Sequence, residues 1–137
     1  MKVKKIKAVI ETGDDGCYSV YIPSIAGLYG AGETEDEAKS ELMDAIEMAR
    51  EHAEEVGSWD DYAPLKGDID IEYVYDLSGF FKTFDFFDVS SLANHIGLNP
   101  SMMRRYKSGI TKASDRQKKR IEESIHAIAS KLSVTRF

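Results

Sequence analysis

Cysteine is almost missing. Cys17 is the single one in 137 residues, so no internal disulfide can form, and a reducing, cytoplasmic setting is expected. Its place in an alternating stretch predicts a packed thiol rather than a reactive one. No run approaches 18 consecutive apolar residues, which excludes a spanning helix and any membrane partner of that kind. The opening "MKVKKIKAVIETGDDG" has lysines but neither the apolar core nor the small-residue cleavage site of a secretory leader. Histidines number three, His52, His95 and His126, on three separate predicted helices, with no cysteine or second histidine at ligand spacing. G-x-S-x-G, P-loop and dinucleotide fingerprints are absent, and "GLYGAGET" puts glycine before a helix without the lysine a phosphate cradle needs. Asp14 and Asp15 fall in a turn, Asp60 and Asp61 in a loop, and the pattern of Asp70 and Glu72 is that of an exposed strand face. No catalytic residue, metal site or cofactor is therefore expected, and the chain reads as a non-enzyme.

What is present is the composition of a folded protein, 42% hydrophobic and 31% charged. The charge is uneven. Residues 1–79 carry 7 basic and 19 acidic groups, a net of −12, whereas residues 80–137 carry 11 basic and 5 acidic, a net of +6. Two units with different partners follow, one of them suited to a polyanion.

"VKKIKAVIE" (3–11) alternates, with Ile6, Ala8 and Ile10 on one face and Lys5 and Lys7 on the other. "CYSVYIP" (17–23) alternates again, and "TGDDG" between them is turn chemistry, so the pair reads as a hairpin. "AGLYGAG" (26–32) reads as a third strand whose glycines mark close backbone approach. Thr34 and Glu37 form a capping box that opens a helix over 34–57, with the stripe Ala38, Leu42, Ile46, Ala49, Ala53 and Val56 and a stop at Gly57. "IDIEYVYD" (69–76) is a strand with Ile69, Ile71, Tyr73 and Tyr75 facing one way. The first unit is thus β-β-β-α-β. "LSGFFKTFDFFD" (77–88) fits either a linker or a short first helix of the second unit.

"SLANHIGLNPSMMRRYKSG" (91–109) carries the most specific spacing. Ser90 or Ser91 can cap a helix ending near Ile96, and Gly97 supplies a turn with positive φ. Asn99 is a good cap and Pro100 fits the first position of a second helix. Ala93, four before Gly97, is small where the two helices cross, and Leu92, Ile96, Leu98, Met103 and Tyr106 fall on the inward side. Such a pair reads as a helix-turn-helix, backed by a helix over 114–132 with a Ser114/Gln117 cap and the stripe Ile121, Ile125, Ile128 and Leu132. Arginine pairs with guanine in the major groove while flanking lysines neutralise phosphate. The candidate DNA-binding residues are Asn99, Ser101, Met102, Arg104, Arg105, Lys107, Ser108 and Lys112.

"CYSVYIPSIAGLYGAGETEDEAKSELMDAIEMA" resembles the N-terminal domain of HicB-type antitoxins, through the aromatic strand ending in Pro23, the turn at Gly27, and Gly32, Thr34, Glu37 and Ala38 opening the helix. The resemblance covers about residues 3–76. It implies a partial ribonuclease-H-like fold without catalytic function that binds and blocks HicA, a small ribonuclease toxin. It also implies a C-terminal DNA-binding domain that represses the operon. The expected fold class is α+β: a HicB-like domain over 1–77, a linker over 78–88 and an all-α helix-turn-helix domain over 89–137. The expected function is an antitoxin that neutralises a HicA-like toxin and binds operator DNA as a homodimer or higher homo-oligomer. The alternatives are a transcriptional regulator whose first domain senses a small ligand, and an active ribonuclease-H-like nuclease.

Overall fold

A computed structural model describes residues 2–13 and 15–137, so Asp14, expected in the first hairpin turn, lies outside the described residues. The chain divides into two units, one ending at Phe80 and one running Phe81–Phe137. The first holds β1 (Lys4–Thr12), β2 (Tyr18–Tyr21), β3 (Tyr29–Gly32), α1 (Glu35–Val56), a 3₁₀ turn (Ala63–Leu65) and β4 (Ile69–Tyr75). A short helix, α2 (Leu77–Thr83), follows, so the first half of the 77–88 segment is helical. After it, the rings of Phe84, Phe86 and Phe87 contact one another, with centroids 5.0 Å apart for the last pair. The second unit holds α3 (Val89–Ile96), α4 (Pro100–Ser108) and α5 (Asp115–Ser133).

The four strands lie in the order β3-β2-β1-β4. β1 pairs antiparallel with β2 and parallel with β4, and β2 pairs antiparallel with β3. Alternation sends Ile6, Ala8, Ile10, Val20 and Ile22 to one face, where they meet Leu42 and Ile46 of α1 and Leu65 of the 3₁₀ turn in a single buried cluster. Ile69, Ile71, Tyr73 and Tyr75 pack against its margin.

α1 lies so close to β3 that side chains are excluded there. A Cβ on Gly30 would stand 2.2 Å from the Ala38 carbonyl oxygen and 2.4 Å from the Leu42 amide nitrogen, both backbone atoms that cannot swing aside. β3 covers four residues, shorter than the 26–32 span expected, and Ile25 and Leu28, which precede it, are buried in the core instead.

Thr34 caps α1 by accepting from the Glu37 amide at 3.1 Å. The reciprocal bond reaches one residue further back than a standard box, the Glu37 carboxylate accepting from the Glu33 amide at 2.9 Å. At the other end Gly57 is left-handed (φ 72°), the Ser58 amide donates to the Ala53 carbonyl at 3.1 Å, and the Gly57 amide to Glu54 at 3.3 Å. Val56, expected in the buried stripe, is the last residue of α1 and is exposed.

Two further expectations are corrected. Cys17 is exposed, because it precedes β2 and sits in the hairpin loop. Nearby Asp15, chiefly by its charge, pushes the thiol above its ordinary range and so keeps it protonated. Leu132 is also exposed, the stripe of α5 outrunning the one fully buried position, Ile121.

Candidate functional site

The geometry around Gly97 follows from three local devices. Asp88, rather than Ser90 or Ser91, caps α3: its side chain accepts from the Ser91 amide at 3.0 Å. Gly97 then adopts φ 88°, and both it and Leu98 donate their amides to the Ala93 carbonyl at 2.9 Å. Ala93 is fully buried, as a close helix crossing requires. Asn99 starts α4 by accepting from the amides of Ser101 (2.8 Å) and Met102 (3.2 Å), with Pro100 at the first turn. Val89, Leu92, Met103, Tyr106 and Ile121 are buried, and α5 is tied to the turn by Arg120, whose Nη2 donates to the Gly97 carbonyl at 3.2 Å.

With Met103 and Tyr106 inward, the 100° step of the helix leaves Ser101 and Ser108 facing directly away, flanked by Arg104 and Arg105. Asn99, Ser101, Met102, Arg104, Arg105, Lys107, Ser108 and Lys112 are all exposed. The structure therefore gathers the sequence candidates on and just beyond one helix. Their side chains are not equivalent. Asn99 uses its oxygen as a cap, and the Ser108 hydroxyl donates back to the Arg105 carbonyl at 3.1 Å. Arg104 donates Nη1 to Ser90 Oγ (2.7 Å) and Nη2 to Ser101 Oγ (3.0 Å). Arg105 donates its Nε to Thr111 Oγ1 at 2.9 Å. Thr111 and Arg120 were not singled out by sequence reasoning, and Ser90, expected as a cap, instead accepts from Arg104. Gly109, which turns the chain back at φ 81°, is the signal that could have found Thr111.

In the first unit the acidic groups concentrate on α1. Glu47, Glu51, Glu54 and Glu55 line an open groove of about 850 Å³ together with Arg50, Trp59 and Lys66. Arg50 is partly spent on the Gly67 carbonyl (3.1 Å), and Lys39 lies 3.7 Å from Glu35 and 4.6 Å from the Tyr73 ring centre. Asp70 and Glu72 are different, for the β1–β4 register sets Lys5 opposite Asp70 and Lys7 opposite Glu72. Those two carboxylates have cationic neighbours. Among the described residues no group of three His, Cys, Asp or Glu side chains is placed to hold a metal, and no helix is long and apolar enough to cross a membrane.

A family model for the HicB-like antitoxin of bacterial toxin–antitoxin systems matches residues 6–94. The chain belongs to the HicB-like antitoxin family. No curated protein and no solved structure matches it. The match takes in β1 from Ile6 onward, the other three strands, α1, α2 and most of α3, and ends before α4. Membership supports an antitoxin role, and with it a toxin as partner.

Proposed function

We propose that this HicB-like antitoxin neutralises a small HicA-like ribonuclease through residues 1–77 and represses its own operon through residues 89–137, residues 78–88 connecting the two. The observation that carries the first half is the family match over 6–94. The β3-β2-β1-β4 sheet, with one parallel pair and one long covering helix, supports a partial ribonuclease-H-like fold for that domain. The second half rests on α3, the left-handed Gly97 and α4, which support a helix-turn-helix with Arg104 and Arg105 on its second helix. A homodimer is part of this reading, since one nine-residue helix spans few base pairs and paired half-sites restore specificity. The protein performs no chemistry of its own; it occludes a nuclease and a promoter.

The test pairs the purified chain with the protein encoded by the adjacent reading frame. Cleavage of a single RNA substrate by that protein should stop once the chain is present in equimolar amount. Undiminished cleavage with no complex on a sizing column would remove the antitoxin assignment to that partner. Footprinting on the DNA upstream of the pair should show an inverted repeat, and a single asymmetric site would remove the dimer.

A further inference from the structure

We infer that the two adjacent arginines of α4 have separate tasks: Arg105, aimed by Thr111, reads a guanine, while Arg104 is a strut that holds α4 to the start of α3. This rests on the DNA-binding reading and refines it to single side chains.

The difference lies in which nitrogens are occupied. Guanine presents two acceptors side by side in the major groove, and arginine reads them with two parallel N–H groups. Arg105 gives its Nε to Thr111 Oγ1 at 2.9 Å and keeps both terminal nitrogens without a protein partner among the described residues. A tether at Nε fixes the plane of the guanidinium while leaving its far edge open. That removes rotamer freedom before DNA arrives, so less ordering is needed on binding. Thr111 is itself well placed for this. The chain reverses at Gly109 (φ 81°), and the Thr111 amide returns to the Arg105 carbonyl at 3.4 Å. Backbone and side chain of one residue thus grip both ends of Arg105.

Arg104 has the opposite arrangement. Its Nη1 donates to Ser90 on α3 at 2.7 Å and its Nη2 to Ser101, one turn back on α4, at 3.0 Å. Each terminal nitrogen gives one of its two N–H groups to a serine, so turning the guanidinium to face a base would pull against the bonds that hold α4 to α3. Its charge still reaches the phosphate backbone, which lacks sequence information. Arg104 accordingly contributes affinity and the angle between α3 and α4, and Arg105 contributes the choice of base.

The experiment uses the full-length chain and a pool of randomised duplex DNA. Wild-type protein is first used to select its preferred sequence. Each guanine of that sequence is then replaced in turn by 7-deazaguanine, which lacks the N7 acceptor. Arg105→Ala should lower affinity for the selected duplex by about tenfold to a hundredfold and make one guanine position indifferent to the replacement. Thr111→Val, which keeps the shape and the backbone bond but loses the hydroxyl, should weaken discrimination at that same position. Thr111→Ser should restore it. Arg104→Ala should lower affinity for all duplexes alike and leave the pattern of preferred bases unchanged. Circular dichroism melting of each variant identifies any that fail to fold. Wild-type discrimination retained in Thr111→Val overturns the aiming role, and a changed base preference in Arg104→Ala overturns the strut. If the wild-type chain enriches no sequence and binds no duplex, the DNA-binding reading itself falls, and this inference with it.

Discussion

Tyr75 is a single side chain that joins the last strand to the first turn of α1. Its hydroxyl donates to the Glu35 carboxylate, and the ring is half-buried against the first unit's core. Burial first, and then Glu35, hold the phenol protonated well above the ordinary tyrosine range. The folded state thus keeps a proton that the unfolded chain releases near pH 10. The stabilisation is intact below about pH 10 and fades as the pH rises beyond it, because there the folded state binds more protons than the unfolded one. Tyr75→Phe should flatten the alkaline fall in stability, measured by urea unfolding at intervals between about pH 8 and 11. Tyr21 and Tyr73 are shifted in the same direction, both chiefly by burial, so part of the slope will remain. An unchanged slope would mean that Tyr75 titrates as it does in the unfolded chain. Sequence alternation put Tyr75 on the correct face, but the pairing with Glu35, 40 residues away, depends on the parallel β1–β4 register that no local pattern encodes.

At the scale of elements, type and order were legible because each depends on neighbours within about ten residues. The alternation of β1, β2 and β4, the Thr34 cap, and the glycines at 57 and 97 all act locally. What was missed was decided by what lies opposite. Period alone assigned Val56 and Leu132 to stripes, yet they are exposed, since a period names a face without saying how far the neighbouring layer extends. The cap of α3 was missed for a different reason. Ser90, Ser91 and Asp88 are all good cap residues, and the sequence offers no means to rank them. Geometry chooses Asp88, whose carboxylate accepts from the Ser91 amide. Asp88→Ala should therefore cost about 1 kcal/mol in stability. Ser91→Ala, which leaves that backbone donor in place, should stay within about 0.5 kcal/mol of wild type. Chemical denaturation followed by circular dichroism separates the two, and equal losses would return the cap to the serine.

Over the whole molecule, the −12 and +6 of the two halves are the most visible property of the sequence, and the fold gives the acidic half a finer grain. A toxin that cleaves RNA needs a basic surface, because phosphate contacts supply most of nucleic-acid affinity. An antitoxin gains association rate by presenting opposite charge to it. Equal numbers of carboxylates are not equal for this purpose. Asp70 and Glu72 lie opposite Lys5 and Lys7 in the β1–β4 register, so each carboxylate has a cation on the neighbouring strand to offset its charge. Glu47, Glu51, Glu54 and Glu55 cluster on the outer side of α1, four carboxylates sharing their groove with Arg50 and Lys66. Steering from the α1 cluster should therefore exceed steering from the strand. Two double variants remove the same formal charge: Glu47→Gln with Glu51→Gln, and Asp70→Asn with Glu72→Gln. In stopped-flow mixing with the toxin at low ionic strength, the first should slow association severalfold and the second should change it little. The gap should close as salt rises, since exposed charges are screened beyond about 8 Å at physiological ionic strength. If both pairs slow association equally at low salt, only the total charge matters. If neither does at any salt, the acidity of α1 plays no part in capturing the toxin.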